Sequence, residues 1–225
     1  MLVLALDTAT PAITAGVVAL TGGEVVQRSV RVTVDARKHG ELLMPGILAA
    51  CADAGVALRD VEAVVVGIGP GPFTGLRVGL VTAAALGDAL GVPVHGVCSL
   101  DAIAWDAARD AVVVGPLLVA TDARRREIYW AAYDRAGDRI DGPYVEAPAV
   151  VAGRVVELGA VAVAGGSGAL LGLPVLDPES PSPAGLVATA AAALRAGLAP
   201  GPLEPLYLRR PDAVEPGTRK RVSVG

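Results

Sequence analysis

The first hundred residues carry two kinds of hydrophobic pattern. Alternation of apolar with small or polar residues predicts a meander of three antiparallel strands, at 2–7, 12–20 and 24–34. Helical spacing of the apolar positions predicts helices over 39–54, over 74–90 and from about Ser99. Two apolar runs between these helices predict buried strands, at 61–68 and 92–97.

The second half repeats strands and helices in a shorter form. Strands are predicted at 116–121, 127–134, 138–145 and 160–164, and helices at 151–158 and 183–198. In both halves an early strand ends in an aspartate, Asp7 and Asp122, which hints at an internal duplication. The order β-β-β-α-β-α-β-α in the first half is the topology of an RNase H-like lobe.

We therefore expect an α/β protein with an actin-like fold of two RNase H-like lobes. Each lobe is predicted to hold a mixed five-stranded sheet with helices, and the second lobe is predicted to be reduced. The lobes are placed at 1–100 and 101–210, with the last helix able to pack back on the first lobe. Residues 211–225 are predicted to form a basic, flexible tail.

Composition narrows the class of protein. Of the 225 residues, 53% are hydrophobic and 19% are charged, so the chain can fill a core. Because its net charge is −4, the surface as a whole is not expected to bind nucleic acid. The start resembles a strand rather than a signal peptide, charges and prolines interrupt every apolar run, and Cys51 and Cys98 are expected as buried free thiols. We expect a cytoplasmic protein without a membrane segment.

The stretch from Ile68 to Gly79, I-G-P-G-P-F-T-G-L-R-V-G, is the most distinctive motif. A buried strand ends there in a loop rich in glycine and proline, and Thr74 is predicted to cap the following helix. Such a loop either cradles a phosphate with its backbone N–H groups or presents a rigid loop and helix face to a partner. The pattern leaves both functions open.

Five collinear segments resemble one family. They are L-A-L-D-T-A-T-P, H-G-E-L-L-M-P-G-I, G-I-G-P-G-P-F-T-G-L-R-V-G, A-T-D-A-R-R-R-E-I-Y-W-A-A-Y and P-L-Y-L-R. In this order they resemble the TsaB (YeaZ) family of bacterial tRNA threonylcarbamoyladenosine biosynthesis proteins. The match runs from Met1 to about Arg210, nearly the whole chain.

The resemblance implies a function within a complex. Together with a TsaD-type catalytic subunit and a TsaE-type ATPase, such a protein takes part in placing a threonylcarbamoyl group on the adenosine next to the tRNA anticodon. It implies a non-catalytic dimerisation and scaffold subunit that activates the TsaD-type subunit and meets tRNA only through the complex. No cofactor is expected on this chain, and ATP or ADP is expected only at the level of the complex. A homodimer is the alternative to pairing with the TsaD-type subunit.

Two helices are predicted to form the partner interface. Both are apolar over more than the stripe needed to cover one sheet, and small residues let helices approach closely. The predicted interface residues are Leu43, Ile47, Ala50, Thr74, Leu76, Arg77, Leu80, Ala83, Ala84 and Gly87. Arg77 is also expected to tie the loop to a carboxylate.

Other residues mark positions where related proteins hold ligands. A vestigial nucleotide site is predicted at Asp7, Thr8, Thr10, Gly165 and Gly166. His39 occupies a vestigial metal position, but the residue four further on is Leu43, so no metal site is predicted.

Alternatives to the scaffold function remain. One is an ATP-binding phosphotransferase or carbamoyltransferase of actin-like fold acting on its own, and another is a homodimeric module that binds cell-wall or nucleotide ligands. The run Arg124 to Arg126 replaces the glycine-bearing phosphate hairpin that an ATP site in the second lobe needs, which argues against the enzyme. This run can instead meet tRNA phosphates or be a solvated turn.

Overall fold

A computed structural model describes residues 1–110 and 114–209 of the chain. Strands and helices alternate along two lobes, as the hydrophobic pattern predicts. The strands are β1 Leu2–Asp7, β2 Ala12–Thr21, β3 Glu24–Gln27, β4 Arg31–Val34, β5 Ala63–Gly67, β6 Val94–Val97, β7 Leu117–Asp122, β8 Ile128–Tyr133, β9 Arg139–Glu146, β10 Ala162–Ala164 and β11 Val175–Leu176. The α-helices are α1 His39–Asp53, α2 Phe73–Leu90, α3 Ser99–Asp110, α4 Pro148–Arg154 and α5 Pro183–Arg195.

The first sheet is mixed and has the strand order β3-β2-β1-β5-β6, with β4 also beside β2. Strand β1 pairs antiparallel with β2, from Leu2 opposite Ala19 to Asp7 opposite Thr14, and parallel with β5. The sheet has six strands because the predicted strand 24–34 is broken in two. The N–H groups of Arg28 and Ser29 both donate to the carbonyl of Val17, so the chain bends there and β3 and β4 pair with different parts of β2.

The two faces of this sheet are covered differently. Helices α1 and α2 pack on one face, around Leu4, Leu6 and Val64. Helix α5 packs on the other face through Leu186, Val187 and Leu194, so the last helix lies in the core of the first lobe. Helix α5 also packs along α3, which joins the lobes. The chain thus runs from the first lobe into the second and returns to the first lobe with α5.

The second lobe is smaller. Its sheet has the order β11-β10-β7-β8-β9, and β10 and β11 have three and two residues. Helix α3 covers one face, with Leu100 and Ile103 against Leu117 and Tyr133. Helix α4 covers the other and begins at Pro148, three residues before the predicted start, because proline suits the first turn of a helix.

The segment 199–209 packs against both lobes. It has no helix or strand, yet Leu203 packs with the first core and Leu206 with the core of the second lobe. The Leu206 N–H donates to the carbonyl of Ile68 at 2.8 Å, and Arg209 forms an ion pair with Glu127. These contacts connect the lobes, whereas the predicted tail 211–225 lies outside the described residues.

Helix α2 is long and apolar enough, by length and composition alone, to cross a membrane. Charges interrupt it at Arg77 and Asp88, as the sequence analysis expected of every apolar run. Seven of its residues are buried, and the helix packs against β1 and β5 as a core helix of the first lobe. Both Cys51 and Cys98 are buried free thiols, as predicted.

Candidate functional site

Strand β1 ends in Asp7, whose carboxylate is fully buried. The Ala9 N–H donates to Oδ1 at 2.8 Å, and the Ser99 hydroxyl donates to Oδ2 at 2.5 Å. Burial raises the pKa of Asp7 to about 6, against the opposing effects of these two hydrogen bonds and of the nearby His39. Groups of the chain itself therefore occupy both carboxylate oxygens.

The threonines of the following turn also bond within the chain. The Thr8 hydroxyl donates to the carbonyl of Gly75 at 2.8 Å, which joins the turn to the start of α2. The Thr10 hydroxyl accepts the N–H of Ala12 at 3.2 Å, within the same turn. The Thr8 hydroxyl therefore connects the turn to α2, and the Thr10 hydroxyl stabilises the turn itself.

The glycines of the Ile68–Gly79 motif explain how this turn and α2 come so close. A Cβ at Gly71 would collide with the backbone of Ala9, and one at Gly79 would collide with the hydroxyl of Thr8. A Cβ at Gly75 would lie 2.5 Å from the carbonyl oxygen of Thr8. Because the turn fills the space in front of these glycines, the geometry favours a rigid, packed loop over a phosphate cradle.

This packing predicts opposite effects for two glycine-to-alanine changes in helix interiors. Gly79→Ala should destabilise the fold by ~1–3 kcal/mol, because its methyl group meets the Thr8 hydroxyl. Gly46→Ala in α1, where a Cβ meets nothing within 4 Å, should raise stability by up to ~1 kcal/mol through helix propensity. Chemical denaturation of both variants measures the difference, and equal effects would contradict the close approach.

The start of α2 differs from the prediction. The helix begins at Phe73 with Pro72 as its N-cap residue, so Thr74 lies inside the first turn and does not cap it. No side chain caps this helix start. The ring of Pro72 instead fixes the backbone there, with φ −61°.

Gly165 and Gly166 belong to a loop of the second lobe. The N–H of Gly165 donates to the carbonyl of Pro178, and that of Gly166 donates to Glu179, both at 3.0 Å. Gly165 has φ +91°, and a Cβ there would collide with the backbone of Ala120, so only glycine fits. These two N–H groups are therefore used in packing the second lobe.

His39 opens α1 and is nearly buried. Its Nε2 lies 3.0 Å from the carbonyl oxygen of Thr10, and since a carbonyl only accepts, Nε2 carries the hydrogen. Within residues 1–110 and 114–209, no group of three His, Cys, Asp or Glu side chains lies close enough to hold a metal ion.

The structure corrects most of the predicted partner interface. Seven of its ten residues pack in the core of the first lobe, so they are not accessible to a partner: Leu43, Ile47, Ala50, Leu76, Leu80, Ala83 and Gly87. Three predicted residues are exposed on α2: Thr74, Arg77 and Ala84. The apolar stripes were correctly assigned to helices, but they face the sheet.

The predicted interface omits the apolar residues that do reach the surface of these helices. Leu48 of α1 and Val81 of α2 are 51% and 68% exposed, and Phe73 is 39% exposed. Leu48 directly follows the buried Ile47, and Val81 directly follows the buried Leu80. Each lies about 100° around the helix from its buried neighbour, but periodicity alone does not say which of two adjacent apolar residues faces the core.

Arg77 does not tie the loop to a carboxylate among the described residues. Its guanidinium lies 3.6 Å from the centre of the Phe73 ring, and its Nε donates to the Tyr207 hydroxyl at 3.1 Å. The rings of Phe73 and Tyr207 stack with centres 5.0 Å apart. Arg77 therefore holds the segment 199–209 against the start of α2.

Comparisons with known proteins agree with this architecture. The family model described as TsaD, tRNA N6-adenosine threonylcarbamoyltransferase, matches residues 31–174. A Mycobacterium tuberculosis protein described as uncharacterized is 55% identical over 94% of this chain and 93% of its own length. The tRNA threonylcarbamoyladenosine biosynthesis protein TsaB of Escherichia coli is 34% identical over 75% of this chain and 72% of its own.

A solved structure titled YeaZ from Pseudomonas aeruginosa is 30% identical, with a TM-score of 0.71 over 92% of this chain and 99% of that chain. Two RNase H-like lobes joined by α3 define an actin-like fold whose Asp7 turn is filled by the chain's own groups. The chain belongs to the TsaB (YeaZ) family.

Proposed function

We infer that this chain acts in tRNA threonylcarbamoyladenosine biosynthesis as a non-catalytic subunit that docks on, and activates, a TsaD-type catalytic subunit. The observation that carries this proposal is an apolar outer face on α1 and α2, beside a turn whose polar groups are already bonded within the chain. Membership of the TsaB family supports the pathway, and the TsaD family match supports a partner of similar fold.

The docking surface is defined as the exposed faces of α1 and α2. It comprises Leu48, Phe73, Thr74, Arg77, Val81 and Ala84. Val81, at 68% exposure, stands near the middle of α2. Exposed aliphatic and aromatic side chains grouped on neighbouring helices are typical of protein interfaces. Helix faces of this kind suit a bundle with helices of a related subunit.

Activation follows from the energetics of docking. A partner that binds one arrangement of the catalytic subunit's lobes more tightly than others shifts the population toward that arrangement. The scaffold therefore needs a rigid docking face, and the packed contact between the Asp7–Thr10 turn and α2 makes the face rigid. Its own catalysis is not required for this function.

The enzyme alternative needs ligand groups that the structure uses elsewhere. Asp7, the hydroxyls of Thr8 and Thr10, and the N–H groups of Gly165 and Gly166 all bond within the chain. We therefore propose that this chain requires no cofactor, and that ATP or ADP acts at the level of the complex. We also propose that a TsaE-type ATPase takes part in the complex and that this chain meets tRNA only through the complex. The proposed location is the cytoplasm.

A homodimer through the same surface is the alternative assembly. A two-fold axis would place the surface of one copy against that of a second, which buries the same apolar residues. The two assemblies compete, because both use Val81 and its neighbours.

Light scattering during size-exclusion chromatography tests the proposal. The chain of 22.5 kDa should elute with an equimolar amount of the TsaD-type subunit from the same organism, at the mass of a one-to-one complex. Adding the chain to the catalytic subunit, the other components of the complex, ATP and unmodified tRNA should then restore modification. Absence of a complex, or modification at full rate without this chain, would refute the scaffold function.

A further inference from the structure

The segment 199–209, which follows α5, passes along both lobes without forming a helix or strand. Leu203 packs with the core of the first lobe, and Leu206 packs with the core of the second. The Leu206 N–H donates at 2.8 Å to the carbonyl of Ile68, which directly follows β5 in the first lobe. Leu206 therefore contacts both lobes at once, the first through its backbone and the second through its side chain.

Tyr207 attaches the segment to the start of α2. Its ring stacks on Phe73 with centres 5.0 Å apart, and its hydroxyl accepts the Nε hydrogen of Arg77 at 3.1 Å. The Arg77 guanidinium in turn lies 3.6 Å from the centre of the Phe73 ring. Each of the three side chains thus contacts the other two, on the first lobe, and Tyr207 keeps 37% of its surface exposed. This attachment includes two residues of the docking surface.

Arg209 attaches the segment to the β7–β8 hairpin of the second lobe. It forms an ion pair with Glu127, and its Nη1 donates to the carbonyl of Ala123 at 3.0 Å. Only Leu208 separates Arg209 from Tyr207, so their Cα atoms are at most about 7 Å apart. The start of α2 and the hairpin are therefore connected by a span too short to follow a separation of the lobes.

These attachments lie at the surface and can be released one at a time. The side chains of Arg209 and Glu127 are 23% and 38% exposed, and ion pairs open to water contribute little to stability. The cores of the two lobes are built by the sheets and helices, so they should stay folded when an attachment is lost. A segment with few buried contacts opens more readily than the core beneath it.

The two free cysteines differ in their relation to this segment. Cys98 belongs to the core cluster of the second lobe against which Leu206 packs, whereas Cys51 lies in α1 of the first lobe. Burial raises the pKa of Cys98 to about 12, and only the thiolate form of cysteine is a good nucleophile. Cys98 should therefore react when an opening exposes it to water, and its rate should report release of the segment.

We propose that residues 199–209 form a releasable strap that locks the two lobes in one arrangement, with Tyr207 and Arg209 as its attachment points. Docking on α2 strengthens the strap, because Tyr207 holds Phe73 and Arg77 of the docking surface in place. Linked equilibria are reciprocal, so a partner that binds these two residues in this arrangement also favours the attached Tyr207. The lock is a property of the isolated chain, whereas its link to docking rests on the proposed function.

Hydrogen exchange of the Leu206 amide, followed by NMR on the full chain, tests the lock directly. This N–H bonds to the first lobe, so it exchanges while the strap is released. Arg209→Ala and Tyr207→Ala should each speed this exchange about tenfold, because each removes one attachment, while the amides of β1 and β5 keep their rates. Alkylation of Cys98 by N-ethylmaleimide, measured by mass spectrometry, should accelerate in the same two variants, with Cys51 as the internal reference.

Arg154→Ala is the matched control for Arg209→Ala. Arg154 pairs with Asp141 at 2.7 Å and has 30% of its side chain exposed, much like Arg209. Both partners of this pair belong to the second lobe, so its loss does not release the strap. Arg154→Ala should exchange the Leu206 amide and alkylate Cys98 at the rates of the unchanged chain. Circular dichroism establishes that each variant is folded.

Saturating TsaD-type subunit should slow the alkylation of Cys98 in the unchanged chain, because docking favours the attached strap. An unchanged rate in the complex would overturn the link to docking. Unchanged exchange of the Leu206 amide in both strap variants, or equal acceleration in Arg154→Ala, would overturn the lock. If no complex forms, the scaffold function and the link to docking fall together, while the exchange rates of the isolated chain still decide the lock.

Discussion

Val81→Asp should abolish pairing with the TsaD-type subunit while the isolated chain stays folded. Val81 is 68% exposed, so an aspartate there is solvated in the monomer and should change stability by less than about 0.5 kcal/mol. Pairing would bury the new charge against apolar groups, which should weaken the complex roughly 100-fold or more. Light scattering of the mixture and thermal unfolding of the chain measure the two effects.

Two further variants control this experiment. Val156→Asp places the same charge at a position of the second lobe that is 90% exposed, and it should pair normally. Leu80→Asp, next to Val81, should unfold the chain, because Leu80 packs in the core of the first lobe. Normal pairing of Val81→Asp would move the docking surface away from α2.

Asp7→Asn should make the chain more stable at neutral pH. The buried carboxyl group has a pKa of about 6, above its value of 3.8 in an unfolded chain, because burial disfavours the ionised form. A difference of about two units corresponds to ~3 kcal/mol of stability lost when Asp7 ionises. The asparagine stays neutral, and its amide can still accept the Ala9 N–H.

The pH dependence has a definite sign. Between pH 4 and pH 6 the unfolded chain loses the Asp7 proton before the folded chain does, so stability falls as pH rises through this window. The gain from Asp7→Asn should therefore be absent at pH 4 and complete above pH 7. Urea denaturation at several pH values measures it, and a gain that is the same at pH 4 and pH 8 would contradict the buried charge.

Asp53→Asn should change stability in the opposite direction. Asp53 lies on the surface, and the hydrogen bonds from Arg31 lower its pKa, so its ionised form favours folding. Removing that charge should reduce stability slightly above pH 4 and have no effect at lower pH. A gain in stability from Asp53→Asn would show that a general charge effect explains the Asp7 result.

Asp7→Asn also separates the scaffold function from the enzyme alternative. If Asp7 serves the packing of the turn, the variant should pair with the TsaD-type subunit and support tRNA modification normally. Loss of modification with intact pairing would assign Asp7 a direct chemical role and revive the enzyme alternative.

Leu80 and Val81 show what the hydrophobic pattern can predict and what it cannot. The pattern predicted α2, its end near Leu90 and its apolar character, because helix period and the glycine at 91 are local properties. It could not decide which apolar residues remain outside the core, since that depends on where the sheet and α1 lie. The predicted interface therefore consisted mainly of core residues.

The glycine-rich motif shows the same limit. Its composition left a phosphate cradle and a rigid loop both open. The distinction depends on residues more than sixty positions earlier, because the turn at Thr8 and Ala9 fills the space in front of Gly71 and Gly79. A contact of this kind is set by the pairing of β1 with β5 and is invisible to any local pattern.

The sequence by itself determined the family, the alternation of strands and helices, and two RNase H-like lobes, because period, turn residues and motif order are written along the chain. The tertiary structure alone decided which helix faces are free, that the polar groups of the Asp7 turn are already bonded, and that the segment 199–209 connects the two lobes. These properties arise from contacts between segments far apart in the chain, where burial and competition for hydrogen bonds decide what remains for a partner or ligand.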